Sequence, residues 1–126
     1  MQFDFVFDDE GRQVTTTLSG TPTIHDFRAL ADALIADSRF RSGMLHLVDC
    51  TELAVIEDEH VLFYEMEPLT ERDWTRPPRA VAIVAPEPDM YHRAVLARAH
   101  LGGSIVNREV FADRATAQLW LNAQAT

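Results

Sequence analysis

Asp49, Thr51 and Glu52 stand together directly after the apolar run Met44-Leu45-His46-Leu47-Val48, with Cys50 between the first two. Two carboxylates and a hydroxyl at the end of a buried strand suit ligand recognition or regulation, because α/β folds hold such groups at the carboxyl ends of their strands. Thr51 is by type a phospho-acceptor, and a phosphate there brings close to two negative charges and new acceptor oxygens. The same residues serve equally well to satisfy backbone donors in a tight turn, as Asp and Thr side chains often do. Cys50 has no cationic neighbour in sequence to lower its pKa, so it reads as a small buried hydrophobe.

A second set of candidates follows the apolar run Ala80–Ala85. Pro86-Glu87-Pro88 leads into a helix whose first turns carry Tyr91 and Arg93 beside free backbone donors. Consecutive parallel strands bring their carboxyl ends together, so Asp49 and Thr51 are expected to approach Tyr91 and Arg93 across a groove walled by Phe63 or Met90. Such a pocket suits a small amphipathic or anionic ligand, though the acidic helix before it argues against a strongly anionic one, and the same end of the sheet suits a partner protein. Phe63, Tyr64, Met66, Trp74, Met90 and Tyr91 together form core, an apolar groove, or a surface for a membrane or a second copy in a homodimer. Trp74 lies among Arg72, Arg76 and Arg79, a setting suited to a lipid headgroup layer.

Other chemistries lack their parts. Glu57-x-x-His60 has the spacing of carboxylate-bridged metal sites, but such sites need a second copy of the motif and the chain has none. Ser19, Ser38, Ser42 and Ser104 do not sit in a Gly-x-Ser-x-Gly elbow, and Gly102-Gly103 follows a helix instead of opening one. All eleven basic residues are arginine, which excludes Schiff-base lysine, P-loop lysine and lysine-borne prosthetic groups. The formal charge of -9 repels phosphate backbones and argues against nucleic acid. The expectation is a non-enzymatic binding module with no catalytic residue, metal or cofactor; the alternative is a peripheral membrane or lipid-binding protein, and an enzyme of unrecognised type comes third.

The elements that must position these groups are legible along the chain. Phe3, Phe5 and Phe7 alternate with Asp4 and Val6, Asp9-Glu10-Gly11-Arg12 is a turn, and Gln13 to Ser19 is a second strand, giving a hairpin. Thr23 and Asp26 have capping-box spacing and open a helix with Ile24, Phe27, Leu30, Ala31 and Leu34 on one face. A third strand over Met44–Val48, a helix over Glu57–Glu67, and a fourth strand over Arg79–Ala85 follow. The fourth is apolar throughout and therefore central. A helix from Pro88 stops at Gly102-Gly103, a fifth strand covers Ser104–Phe111, and Asp113 caps a last helix. The order ββαβαβαβα specifies one α/β domain over residues 1–126, with a mainly parallel five-stranded sheet, an N-terminal antiparallel hairpin and four helices. The single cysteine allows no internal disulfide, and Met1-Gln2 leads straight into a strand, so a cytoplasmic location is expected.

Four stretches carry a family likeness: Leu18-Ser19-Gly20 with Thr23, the strand end Leu47-Val48-Asp49, the strand Val81-Ala82-Ile83-Val84, and Val110-Phe111-Ala112-Asp113-Arg114-Ala115 continuing through Ala117 to Leu119-Trp120-Leu121. With them the chain resembles the bacterial SpoIIAA-like family, stand-alone relatives of the STAS domains of anti-anti-sigma factors and anion transporters. The resemblance implies a βα superhelix with helices mostly on one face of the sheet, no catalysis and no cofactor. It also implies a role in small-ligand binding or peripheral membrane association. Anti-anti-sigma factors carry Asp-Ser-Ser-Gly at the strand end, the second Ser accepting the phosphate. Here Asp49-Cys50-Thr51-Glu52 takes that place, and Glu52 sets an acid beside the acceptor. A phospho-switch on Thr51 is therefore expected to be absent or unusual.

Overall fold

In the computed structural model, strands β1 (Gln2–Phe7) and β2 (Gln13–Gly20) form the antiparallel hairpin that the alternating phenylalanines specify. The structure describes residues 1–23, 25–54, 78–100 and 107–125, with backbone alone for 96–100. Asp8 organises the turn: its carboxylate accepts the backbone N–H groups of Arg12 at 2.7 Å and Gln13 at 3.3 Å. Gly11 there adopts φ 68°, a left-handed conformation that a side chain would strain.

β3 (Leu45–Leu53), β4 (Ala80–Val84) and β5 (Asn107–Phe111) complete a sheet of order β1-β2-β3-β4-β5, parallel from β2 onward. β4 lies between β3 and β5 with every residue buried, as its unbroken apolarity requires. The described residues include three helices, α1 (Asp26–Ala36), α2 (Pro88–His100) and α3 (Arg114–Ala123). The expected helix over 57–67, the Glu57-x-x-His60 spacing, Phe63, Tyr64, Trp74 and Gly102-Gly103 lie outside the described residues.

Strand alternation divides the interior in two. Leu18, Val48, Ile83 and Val110 face α1 and α2, packing against Phe27, Leu30, Met90 and Ala94. Leu45, Leu47, Ala82 and Val84 face the other way, against Ala117 and Leu121 of α3. Each fully buried leucine of this kind contributes about 1.5–3 kcal/mol. Two described helices thus share one face, and α3 covers the opposite one. The α1 side also holds a buried polar pair: Thr16 Oγ1 and His46 Nε2 are 2.7 Å apart, and burial pushes the imidazole pKa down to about 4.

Several boundaries differ from the sequence expectation. The third strand does not end at Val48 but runs to Leu53, because β2 continues to Gly20 and supplies hydrogen-bond partners that no local pattern announces. α1 begins at Asp26 and not at Thr23; the Asp26 carboxylate reaches back to the Thr23 N–H, so only that half of the capping box positions the start. The fourth strand is one residue shorter at each end than Arg79–Ala85.

Candidate functional site

β3 outruns its neighbour β4 at the carboxyl end of the sheet. Asp49 pairs with Val84, the last residue of β4, and beyond it β3 pairs with β2 alone. Between Thr17 and Ser19 of β2 the partner residue jumps from Asp49 to Glu52, so β3 carries an extra residue there. A bulge of this kind bends a strand and re-aims its side chains. Cys50 and Leu53 remain in the core facing α1 and α2, while Thr51 and Glu52 are exposed.

Asp49 points to the α3 face. Its Oδ1 accepts the Thr51 N–H at 2.9 Å and the Thr51 hydroxyl, and its Oδ2 lies 3.5 Å from Arg114 Nη1. The carboxylate side chain is 13% exposed and the guanidinium 57%, so one edge of this cluster meets solvent. Arg114 is the first residue of α3 and is held there by its neighbour. Asp113 caps the helix by accepting from the Thr116 N–H at 2.7 Å and the Thr116 hydroxyl at 2.9 Å, bonds that keep its carboxyl below the usual carboxylate range. Arg114 is the member that the sequence reading did not single out. Its signal was present in the Asp113-Arg114 pair that starts the last helix, but only the sheet order brings that helix start to the end of β3.

The remaining candidates lie elsewhere. Tyr91 is 38% exposed on α2, on the other side of the sheet from the Asp49 carboxylate, and Arg93 is half-buried on the same helix. The structure thus joins Asp49, Thr51 and Arg114, and places Tyr91 and Arg93 across the sheet from the Asp49 carboxylate. The N-terminal turn of α2 is also less open than expected. The Glu87 carboxylate accepts the Met90 N–H at 2.9 Å and the Glu87 carbonyl accepts the Tyr91 N–H at 2.9 Å. Met90, expected to line a groove or a membrane surface, is buried in the core beneath α2, because its side chain falls on the helix face shared with Ala94. Cys50 is buried, and burial together with the Asp49 charge pushes its thiol pKa up to about 12, which leaves it protonated and unreactive.

No family model and no curated protein matches the chain. Among solved structures it is similar to an uncharacterized protein from the DUF3478 family with a SpoIIAA-like fold, from Shewanella loihica PV-4. The two superpose with a TM-score of 0.57 at 14% identity, over 95% of this chain and 92% of that one. The fold is SpoIIAA-like. That fold is an α/β arrangement with a mixed five-stranded sheet, antiparallel between β1 and β2 and parallel beyond. No described helix is long and apolar enough to cross a membrane. Within a SpoIIAA-like frame, the Asp49-Thr51 segment occupies an extended strand with a bulge, tied to the start of the last helix.

Proposed function

We propose that this SpoIIAA-like chain is a non-enzymatic module that binds a small amphipathic ligand or a partner protein at the carboxyl end of its sheet. Asp49 and Thr51 contribute the polar contacts, with Arg114 beside them at the start of α3, while Tyr91 and Arg93 lie across the sheet and take no part. One observation carries the reading. β3 extends past β4 with Thr51 and Glu52 exposed, beside a carboxylate whose arginine partner is itself open to solvent. An exposed hydroxyl and a solvent-facing ion pair exchange partners at small energetic cost, since surface pairs are worth about 0–1 kcal/mol. Residues at this end of a parallel sheet are also where open α/β folds present ligand groups.

The test uses decanoate as an amphipathic probe, with binding followed by backbone amide shifts and by thermal unfolding. Saturable shifts at Asp49–Leu53 and at the start of α3 are expected, with Thr51→Ala and Arg114→Ala reducing the probe's stabilising effect while leaving the unliganded melting temperature nearly unchanged. Binding that maps to other residues, or is unaffected by both substitutions, overturns the small-ligand form of the proposal. For the partner form, a Thr51→Arg substitution is expected to abolish any stoichiometric complex isolated with the purified wild-type chain.

A further inference from the structure

The opposite end of the sheet holds a cleft of about 860 Å³, between the β1–β2 turn, the loop before β3, the start of β4 and the last turns of α3. Arg12, Arg41 and Arg79 all line it. Arg12 pairs with Glu10 at 3.0 Å, and Asp8 is satisfied by the turn amides. Arg41 and Arg79 have no carboxylate partner among the described residues. In a chain of net charge -9, two guanidiniums in one cleft without a carboxylate partner among the described residues stand out.

Both are seated by the backbone. The Arg79 N–H donates to the Met44 carbonyl at 2.8 Å, fixing the start of β4 beside that of β3. The Arg41 guanidinium lies against the bare Gly11 turn, where a Cβ would collide with it. On the far wall, Gln13 and Gln118 exchange reciprocal amide hydrogen bonds at 2.9 and 2.8 Å, and Gln118 donates to Asn122 Oδ1 at 3.0 Å. This ladder holds α3 against β2 and leaves the Asn122 amide nitrogen as a donor. Asp9 at the rim and the carbonyl end of α3 supply acceptors.

We infer that this cleft binds a small hydroxylated oxyanion, whose phosphate or carboxylate group is held by Arg41 and Arg79 and whose hydroxyls meet Asp9, Asn122 and the end of α3. Guanidinium geometry suits both kinds of oxyanion, and charge-assisted hydrogen bonds are about twice as strong as neutral ones. The acceptors on the other wall disfavour bare polyanions and select a ligand that also donates. The site is separate from the Asp49 end, and its failure leaves that proposal standing.

The test follows the Nε–Hε resonances of Arg41 and Arg79, with the backbone amides of Gly11–Gln13, during titration of the full chain with glycerol phosphate, tartrate and inorganic phosphate at constant ionic strength. Saturable shifts with glycerol phosphate or tartrate, stronger than with inorganic phosphate, are expected. The two hydroxylated probes distinguish a phosphate ester from a hydroxy acid as the source of the oxyanion. Arg41→Gln and Arg79→Gln should each raise Kd about tenfold, as loss of one charge-assisted contact predicts. Arg28→Gln on the exposed side of α1 and Thr51→Ala should leave Kd unchanged. Shifts that stay linear through the millimolar range for all three probes, or an equal loss of affinity in Arg28→Gln, overturn the inference. The wild-type titration decides the matter even where a variant fails to fold.

Discussion

Replacing His46 by a residue that cannot take up a proton should flatten the acid limb of the stability curve. His46 is buried between β2 and β4, held 2.7 Å from the Thr16 hydroxyl, and burial lowers its pKa from 6.5 to about 4. The unfolded chain therefore binds a proton near pH 6.5 that the folded chain refuses until about pH 4. Between those values the unfolded state binds more protons, so stability falls as pH falls. Below the folded pKa the effect levels off. At about 1.4 kcal/mol per pH unit the full loss from this residue is roughly 3 kcal/mol, a large share of the 5–15 kcal/mol typical of a domain. His46→Gln retains a polar partner for Thr16 and removes the titration. Urea unfolding from pH 7 to pH 4 should show the wild type losing stability relative to His46→Gln across the window, whatever carboxylates add equally to both. Parallel curves for the two proteins would refute the reasoning, because they would mean that His46 has the same pKa in the folded and unfolded states.

Thr16→Val leaves the His46 ring with a lost partner and should destabilise by about 1–3 kcal/mol in urea unfolding, the usual penalty for an unsatisfied buried polar group. Asp113→Ala removes the cap of α3 and should cost about 1 kcal/mol in the same assay, with Asp113→Asn recovering most of it. Arg114→Ala, by contrast, breaks an exposed pair and should change stability by less than about 1 kcal/mol. The Cys50 thiol should resist a disulfide reagent at mild alkaline pH until the chain unfolds, and fast labelling of the native protein would contradict its burial. Thr51 should not be phosphorylated stoichiometrically by bacterial anti-sigma kinases, as intact mass would report, because Asp49 accepts its hydroxyl and Glu52 adds a second acid beside it.

The hairpin, the central fourth strand and the capped last helix were legible because each rests on a local rule: alternation of Phe3, Phe5 and Phe7, continuous apolarity of Val81 to Val84, and Asp113 ahead of Thr116. What decided the site was not local. Thr51 and Glu52 look like loop residues after an apolar run, and they become strand because β2 supplies partners as far as Gly20. Asp49 was visible as a strand-end carboxylate, yet its side chain went to the α3 face, since one step of strand alternation separates it from Cys50 in the core. Tyr91 follows Met90, whose side chain anchors α2 to the sheet, so it stays on that helix and on the far side from Asp49. The amino-end cleft left no trace in the sequence, because Arg12, Arg41 and Arg79 are scattered over three connections that only the parallel register of β2, β3 and β4 aligns.

That alignment also explains why the two ends can be examined independently even though one helix touches both. α3 meets Asp49 through Arg114 at its first residue and the cleft through Gln118 and Asn122 toward its last turn. Between them Ala117 and Leu121 are buried against β3 and β4, anchoring the helix whatever happens to either exposed end. A substitution at Arg114 removes a surface contact without releasing that anchor, and the same holds for Arg41 and Arg79, which do not belong to the helix. Loss of binding at one end with binding at the other intact is then a statement about the local groups, because the apolar layer that fixes their separation has not been disturbed.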